Sequence, residues 1–143
     1  MVQRYAVKFA YLGRNYHGFQ RQKGSVQTVE GVIIDVLKQL KIINNVKEAQ
    51  YNAAGRTDRG VHALGQVVAF DSLREAIHLG EINQLLPEDI YAWGITKVES
   101  EFSARRNATR RTYRYYITYS NEKISLIKRS LKNNFLRTSS AKQ

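Results

Sequence analysis

The sequence predicts an α+β sandwich, one antiparallel sheet with two helices on one face. Three observations carry this. Tyr5, Val7, Phe9 and Tyr11 fall on alternate positions, the period of a half-buried strand. Val29, Val32, Ile33, Val36, Leu37 and Leu40 recur at the spacing of one helix face. Strand-like and helix-like stretches then take turns along the chain, as helices packed on one side of a sheet do.

In order, residues 4–11 are a strand and residues 13–18 a loop. Gly13-x-x-x-x-Gly18 has the outline of a phosphate loop, but Phe19-Gln20 stand where Lys and Ser or Thr are needed, so ATP binding is discarded. A helix is expected over residues 27–40, with Ser25 or Thr28 as its cap and no capping box. Residues 47–54 read as a short strand and residues 66–71 as a buried one. A second helix is expected over residues 72–86 and ends before Pro87, the one proline. Residues 93–98 and 112–119 read as further strands. In the latter, Tyr113, Tyr115, Ile117 and Tyr119 share a face. The first 119 residues are therefore expected to form one domain, and residues 120–143 a basic tail with six basic residues and one acid.

Charge narrows the function. The 143 residues carry 23 Lys and Arg against 12 Asp and Glu, a formal net charge of +11. Such an excess marks a partner of polyanions, nucleic acid first. It is concentrated: residues 4–29 hold five basic residues and residues 103–120 hold five arginines, with no acid in either stretch. Tyr11, Tyr16, Phe19, Tyr113, Tyr115 and Tyr116 are interleaved with these charges, the combination that base stacking and phosphate binding require. There is no cysteine, so disulfides and thiolate metal sites are excluded. His17, His62 and His78 lack metal-ligand spacing. No apolar run approaches membrane-spanning length and no signal-peptide core stands at the N-terminus. A cytoplasmic location with no membrane partner fits these features.

The densest chemistry lies in Ala54-Gly55-Arg56-Thr57-Asp58-Arg59-Gly60-Val61-His62-Ala63. Asp58 stands between Arg56 and Arg59, and opposite charge nearby favours the ionised form of a carboxylate. The arginines also suit a phosphate. Asp58 thus has two readings, a nucleophile acting on nucleic acid or a turn aspartate bonding its own backbone.

This segment closely resembles the active-site motif of the TruA-type tRNA pseudouridine synthases. Residues 11–22, Val26-Gln27-Thr28-Val29-Glu30 and residues 65–71 match further stretches of that family. So do Leu86-Pro87-Glu88-Asp89-Ile90, Phe102-Ser103-Ala104-Arg105 and Arg111-Thr112-Tyr113-Arg114-Tyr115. The resemblance spans residues 4–119, while members are about twice this length and their second half is not among these residues. It implies a ferredoxin-like fold and isomerisation of uridine to pseudouridine in the tRNA anticodon arm; the alternative is a non-catalytic RNA-binding remnant or fragment of such an enzyme that keeps the basic surface. It also implies a homodimeric complete enzyme and no metal or organic cofactor. Asp58 is then the catalytic nucleophile, Arg56 positions the target nucleotide and pairs with Asp58, and Tyr113 is the active-site tyrosine that stacks on the base or moves a proton. The basic residues Arg14, Arg21, Arg59, Arg105, Arg110 and Arg111 are candidate RNA contacts. His62 contacts phosphate or is satisfied locally, Gln66 bonds a base edge or the turn, and Thr57 shapes the turn.

Overall fold

The computed structural model describes residues 2–117. The chain divides into two compact units, residues 1–108 and 109–143. In the first unit the elements run β1 (Gln3–Tyr11), a 3₁₀ turn (Gly13–Asn15), α1 (Val29–Gln39), β2 (Asn52–Ala53), β3 (Ala63–Ser72), α2 (Leu79–Leu85) and β4 (Ile90–Lys97). The strands form one sheet in the order β2-β3-β1-β4, with antiparallel neighbours throughout. This is the ferredoxin-like α+β sandwich that the sequence predicts.

β1 lies at the centre because its alternation serves both sides. Tyr5, Val7, Phe9 and Tyr11 are buried against α1 residues Val29, Ile33, Val36 and Leu37 and against Ile82 and Leu86. On the other face Arg4, Ala6 and Ala10 are buried as well and only Lys8 is exposed, so the strand is more than half covered. Arg4 is satisfied by ion pairing with Asp71 at 2.8 Å and by donating to the carbonyls of Phe102 and Gln50. A buried charge tolerates such a place only when its donors are used. Ser103 reaches Asn52 at 3.3 Å, so the stretch after β4 is tied to β2 as well as to β1. Lys8 lies over the Trp93 ring, 5.2 Å from its centroid.

Thr28 is the cap of α1: its hydroxyl accepts the Gly31 N–H at 3.1 Å. Such a cap contributes about 1 kcal/mol. α2 is shorter than the 72–86 expectation. Residues 73–78 form an arch because their backbone groups are captured otherwise. The Ser72 hydroxyl bonds both the N–H and the carbonyl of Arg74, and the Tyr5 hydroxyl donates to the Glu75 carbonyl. The helix starts where Glu81 reaches back to the His78 N–H.

The strand expected over residues 47–54 is reduced to Asn52–Ala53. Hydrogen bonds from Ala49 to Asn45, Gln50 to Lys47 and Tyr51 to Val46 close turns there instead, and Gln50 takes a positive φ of 46°. β3 and β4 begin three residues earlier than expected, at Ala63 and Ile90. The strand expected over residues 112–119 is not formed over 112–117, and residues 118 and 119 lie outside the described residues, as does the tail of 120–143. Alternation sets the facing of side chains, but a strand also needs a ladder partner, and residues 109–117 have none among the described residues. Among the described residues no helix is long and apolar enough to cross a membrane.

Candidate active site

Asp58 lies on the connection between β2 and β3, where the sequence places it, and its side chain is exposed. Arg56 and Arg59 are exposed on the same loop. Among the described residues no ion pair joins either arginine to Asp58: the ion pairs are Arg4–Asp71 and Arg74–Glu81. The pairing expected of Arg56 is therefore not made here, and the three charged side chains project from the loop without holding it.

The loop is held by backbone groups and by the side chains of Gln66, Thr57, Tyr11 and His62. At its start, Gln66 is 6% exposed, and its amide donates to the Gly55 carbonyl at 2.7 Å and accepts the Gly55 N–H at 3.3 Å. Of the two readings of Gln66, this geometry is that of the turn. In the middle, the Thr57 hydroxyl lies 2.7 Å from the Tyr11 hydroxyl and the Thr57 carbonyl accepts the Phe19 N–H at 3.0 Å. The Asp58 carbonyl accepts the Val61 N–H at 3.1 Å and closes the turn, with Gly60 at a φ of +78° that favours glycine. At its end, His62 Nδ1 accepts the Gly13 N–H at 2.9 Å, a local bond of the kind weighed against a phosphate contact.

Two glycines let the 12–19 stretch pass this close. A Cβ on Gly13 would stand 2.0 Å from the Val61 carbonyl oxygen. A Cβ on Gly18, whose φ is +83°, would stand 3.1 Å from the Thr57 oxygen and 3.6 Å from the Asp58 carbonyl carbon. Behind them Phe19 stacks on Tyr11 with ring centroids 6.0 Å apart. The far side of this stretch is fixed too: Tyr16 donates to Asp89 and the Asp89 carbonyl accepts the Leu12 N–H. Burial and then the Asp89 carboxylate push the Tyr16 hydroxyl far above the usual tyrosine pKa. The sequence reading placed Tyr11 on a strand face and Gly13 and Gly18 in a loop without seeing that they clasp the motif. The glycine spacing beside the motif was the available signal.

The remaining candidates fall in different places. Arg14 is exposed on the 3₁₀ turn whose first residue bonds His62. Arg21 is exposed, with its N–H on Glu30 Oε1. Arg105 is exposed, and its N–H lies 3.4 Å from Asn52 Oδ1, in the strand that leads into the Asp58 loop. Arg110, Arg111 and Tyr113 belong to the second unit, where they are exposed and in neither helix nor strand. Within the first unit the structure thus gathers Arg14, Arg56, Asp58, Arg59 and His62 around one fixed loop. An accessible carboxylate on a rigid backbone, flanked by cations, suits covalent attack on an electron-poor carbon of an anionic polymer.

Comparison with known proteins gives the family. The profile of the tRNA pseudouridine synthase family matches residues 7–91. The tRNA pseudouridine synthase A of Methanosarcina mazei is 45% identical over 130 residues, 90% of this chain and 48% of the relative. That of Methanosarcina barkeri is 42% identical over 148 residues, 97% of this chain and 55% of the relative. That of Methanothermobacter thermautotrophicus is 47% identical over 116 residues, 81% and 41% of the two chains. The chain spans about half the length of these curated relatives. The fold, the loop and these matches agree: the chain belongs to the tRNA pseudouridine synthase family.

Proposed function

We propose that these residues form the nucleophile-bearing part of a tRNA pseudouridine synthase that converts uridine to pseudouridine in the anticodon arm. The observation that carries the reading is the accessible Asp58 carboxylate on a backbone fixed at both ends. In the reaction the bond from the sugar C1′ to N1 of uracil breaks, the base turns, and C1′ bonds C5. The C5 proton leaves and N1 gains one, so the product is an isomer and no oxidant or reductant is needed. Asp58 attacks covalently, at the sugar or the base, and later departs. Arg56 positions the nucleotide, and Tyr113 stacks on the turned base or relays the proton. Arg14, Arg21, Arg59, Arg105, Arg110 and Arg111 are read as contacts to the tRNA backbone, with residues 1–119 as the catalytic half. The basic balance of the sequence supports that partner. The active assembly is read as a homodimer working in the cytoplasm.

The test is Asp58→Asn in the protein that carries these residues, read as pseudouridine formed in tRNA. The change keeps size and removes the charge. Turnover is expected to be abolished while tRNA affinity stays within about threefold, because on this reading Asp58 acts on the bond and not on the backbone phosphates. Substantial turnover by the variant would remove Asp58 from the chemistry.

A further inference from the structure

We propose that Tyr11 is a positioning residue for Asp58, acting through the hydroxyl of Thr57. The inference rests on the pseudouridine synthase reading and adds a residue to it.

Three exposed side chains, Arg56, Asp58 and Arg59, follow one another around Thr57 and anchor nothing among the described residues. The turn after Asp58 is closed by a single bond to Val61 and passes through Gly60. Such a turn fixes its own curvature but not its place on the sheet. Gln66 and His62 hold the ends of the loop, and Thr57 fixes its middle. Its carbonyl is held by Phe19 and its hydroxyl by Tyr11, so the residue just before Asp58 is tied at two points.

Tyr11 is built for this role and for no direct one. It ends β1, where it pairs with Ala63 of β3 on one side and Ile90 of β4 on the other. Its ring is 1% exposed and stacked on Phe19, which fixes where the hydroxyl points. A hydroxyl this deep does not reach a substrate base, in contrast to the exposed Tyr113. Burial pushes its pKa up, so it stays a neutral hydroxyl that pairs with Thr57. Displacing a reacting group by about 1 Å costs up to about 100-fold in rate, so the stiffness of this link is a matter of chemistry as well as folding.

The experiment compares Tyr11→Phe, Thr57→Val and Thr57→Ser in the active protein. Phe keeps the ring and its stack, Val removes the Thr57 hydroxyl, and Ser keeps it. Tyr11→Phe is expected to lower kcat about 10–100-fold with KM within about twofold. The amides of Phe19 and Val61 should exchange about tenfold faster. Thr57→Val should match it, the double variant should add nothing further, and Thr57→Ser should restore both readouts. Unchanged kcat overturns the proposal, even if the amides exchange faster, because the bond would then serve the fold alone. A fall in KM-side binding with kcat intact overturns it as well. Asp58→Asn is run beside them. If that variant loses turnover while Tyr11→Phe keeps it, this inference falls and the functional reading stands. If Asp58→Asn keeps turnover, both fall.

Discussion

Residues 55–62 are exposed in their charged side chains and fixed in their backbone. Residues 109–117 are exposed in both respects, with Tyr113 at 64% and Tyr115 at 85% relative exposure. Each segment carries residues assigned to the same chemistry. The first is fixed by contacts made entirely within its own unit: Tyr11, Gly13 and Phe19 on one side and Gln66 on the other. The second lacks a ladder partner among the described residues. The difference teaches that, if Asp58 and Tyr113 act together as proposed, one stands on a fixed backbone and the other on a segment without regular structure. The backbone at Asp58 is placed by contacts within residues 2–108, whereas Tyr113 lies in neither helix nor strand.

The largest effect that would break this comparison is at Tyr113. If its hydroxyl moves a proton during isomerisation, Tyr113→Phe lowers turnover by about 10²–10⁴-fold while tRNA binding survives. If the ring only stacks, Phe works nearly as well as Tyr and Leu does not. Full activity with both Phe and Leu would take residues 109–117 out of the chemistry and leave the fixed loop as the whole contribution.

Much of this was legible in the sequence, for identifiable reasons. β1 and α1 were read from periodicity because their apolar stripes face one core and the caps agree. Residues 73–78 were read as helix because Leu73 and Ile77 keep helical spacing, but Ser72 and Tyr5 hold that backbone in an arch. Residues 112–117 alternate like a strand, and alternation is silent about partners. At the site, the place of Asp58 on the connection after the short strand was legible. The Tyr11–Thr57 link was not, because it joins residues 46 apart in sequence and exists only once β1 and the loop meet. His62 and Gln66 each have a local and an RNA-facing reading, and the local bonds exist only once the loop meets residues distant in sequence.

A smaller effect sharpens the fixed side of the comparison. Gly13 is packed against the Val61 carbonyl with no room for a methyl group. Gly13→Ala is therefore expected to cost about 1–3 kcal/mol of stability and to slow turnover, by forcing the two loops apart. Gly80 in α2 has open space around its Cβ position. Gly80→Ala should be neutral or stabilise by about 0.5–1 kcal/mol, since it only improves helix propensity. Thermal unfolding of the two variants checks this. Equal melting temperatures would mean that the 12–19 stretch is not clasped to the motif as tightly as the distances imply.

The smallest effect concerns Arg110 and Arg111, which lie in the segment without regular structure. Attraction between a cation and a phosphate acts over several ångströms through counterion release and does not require a fixed backbone. A basic segment can therefore bind tRNA without the rigidity that Asp58 needs. Replacing Arg110 and Arg111 with Gln should weaken tRNA binding at low salt and lower the slope of log K against log salt by about one unit per lost contact. Turnover at saturating tRNA should change little, because these contacts are alike in the ground and transition states. The same replacement at Arg56 should depress turnover at saturation, because its loop is fixed beside the nucleophile. Binding measured across a salt series, together with kcat, separates the two kinds of arginine. An unchanged slope for the Arg110 and Arg111 variant would assign both to solvated surface and leave tRNA binding to the arginines of the first unit.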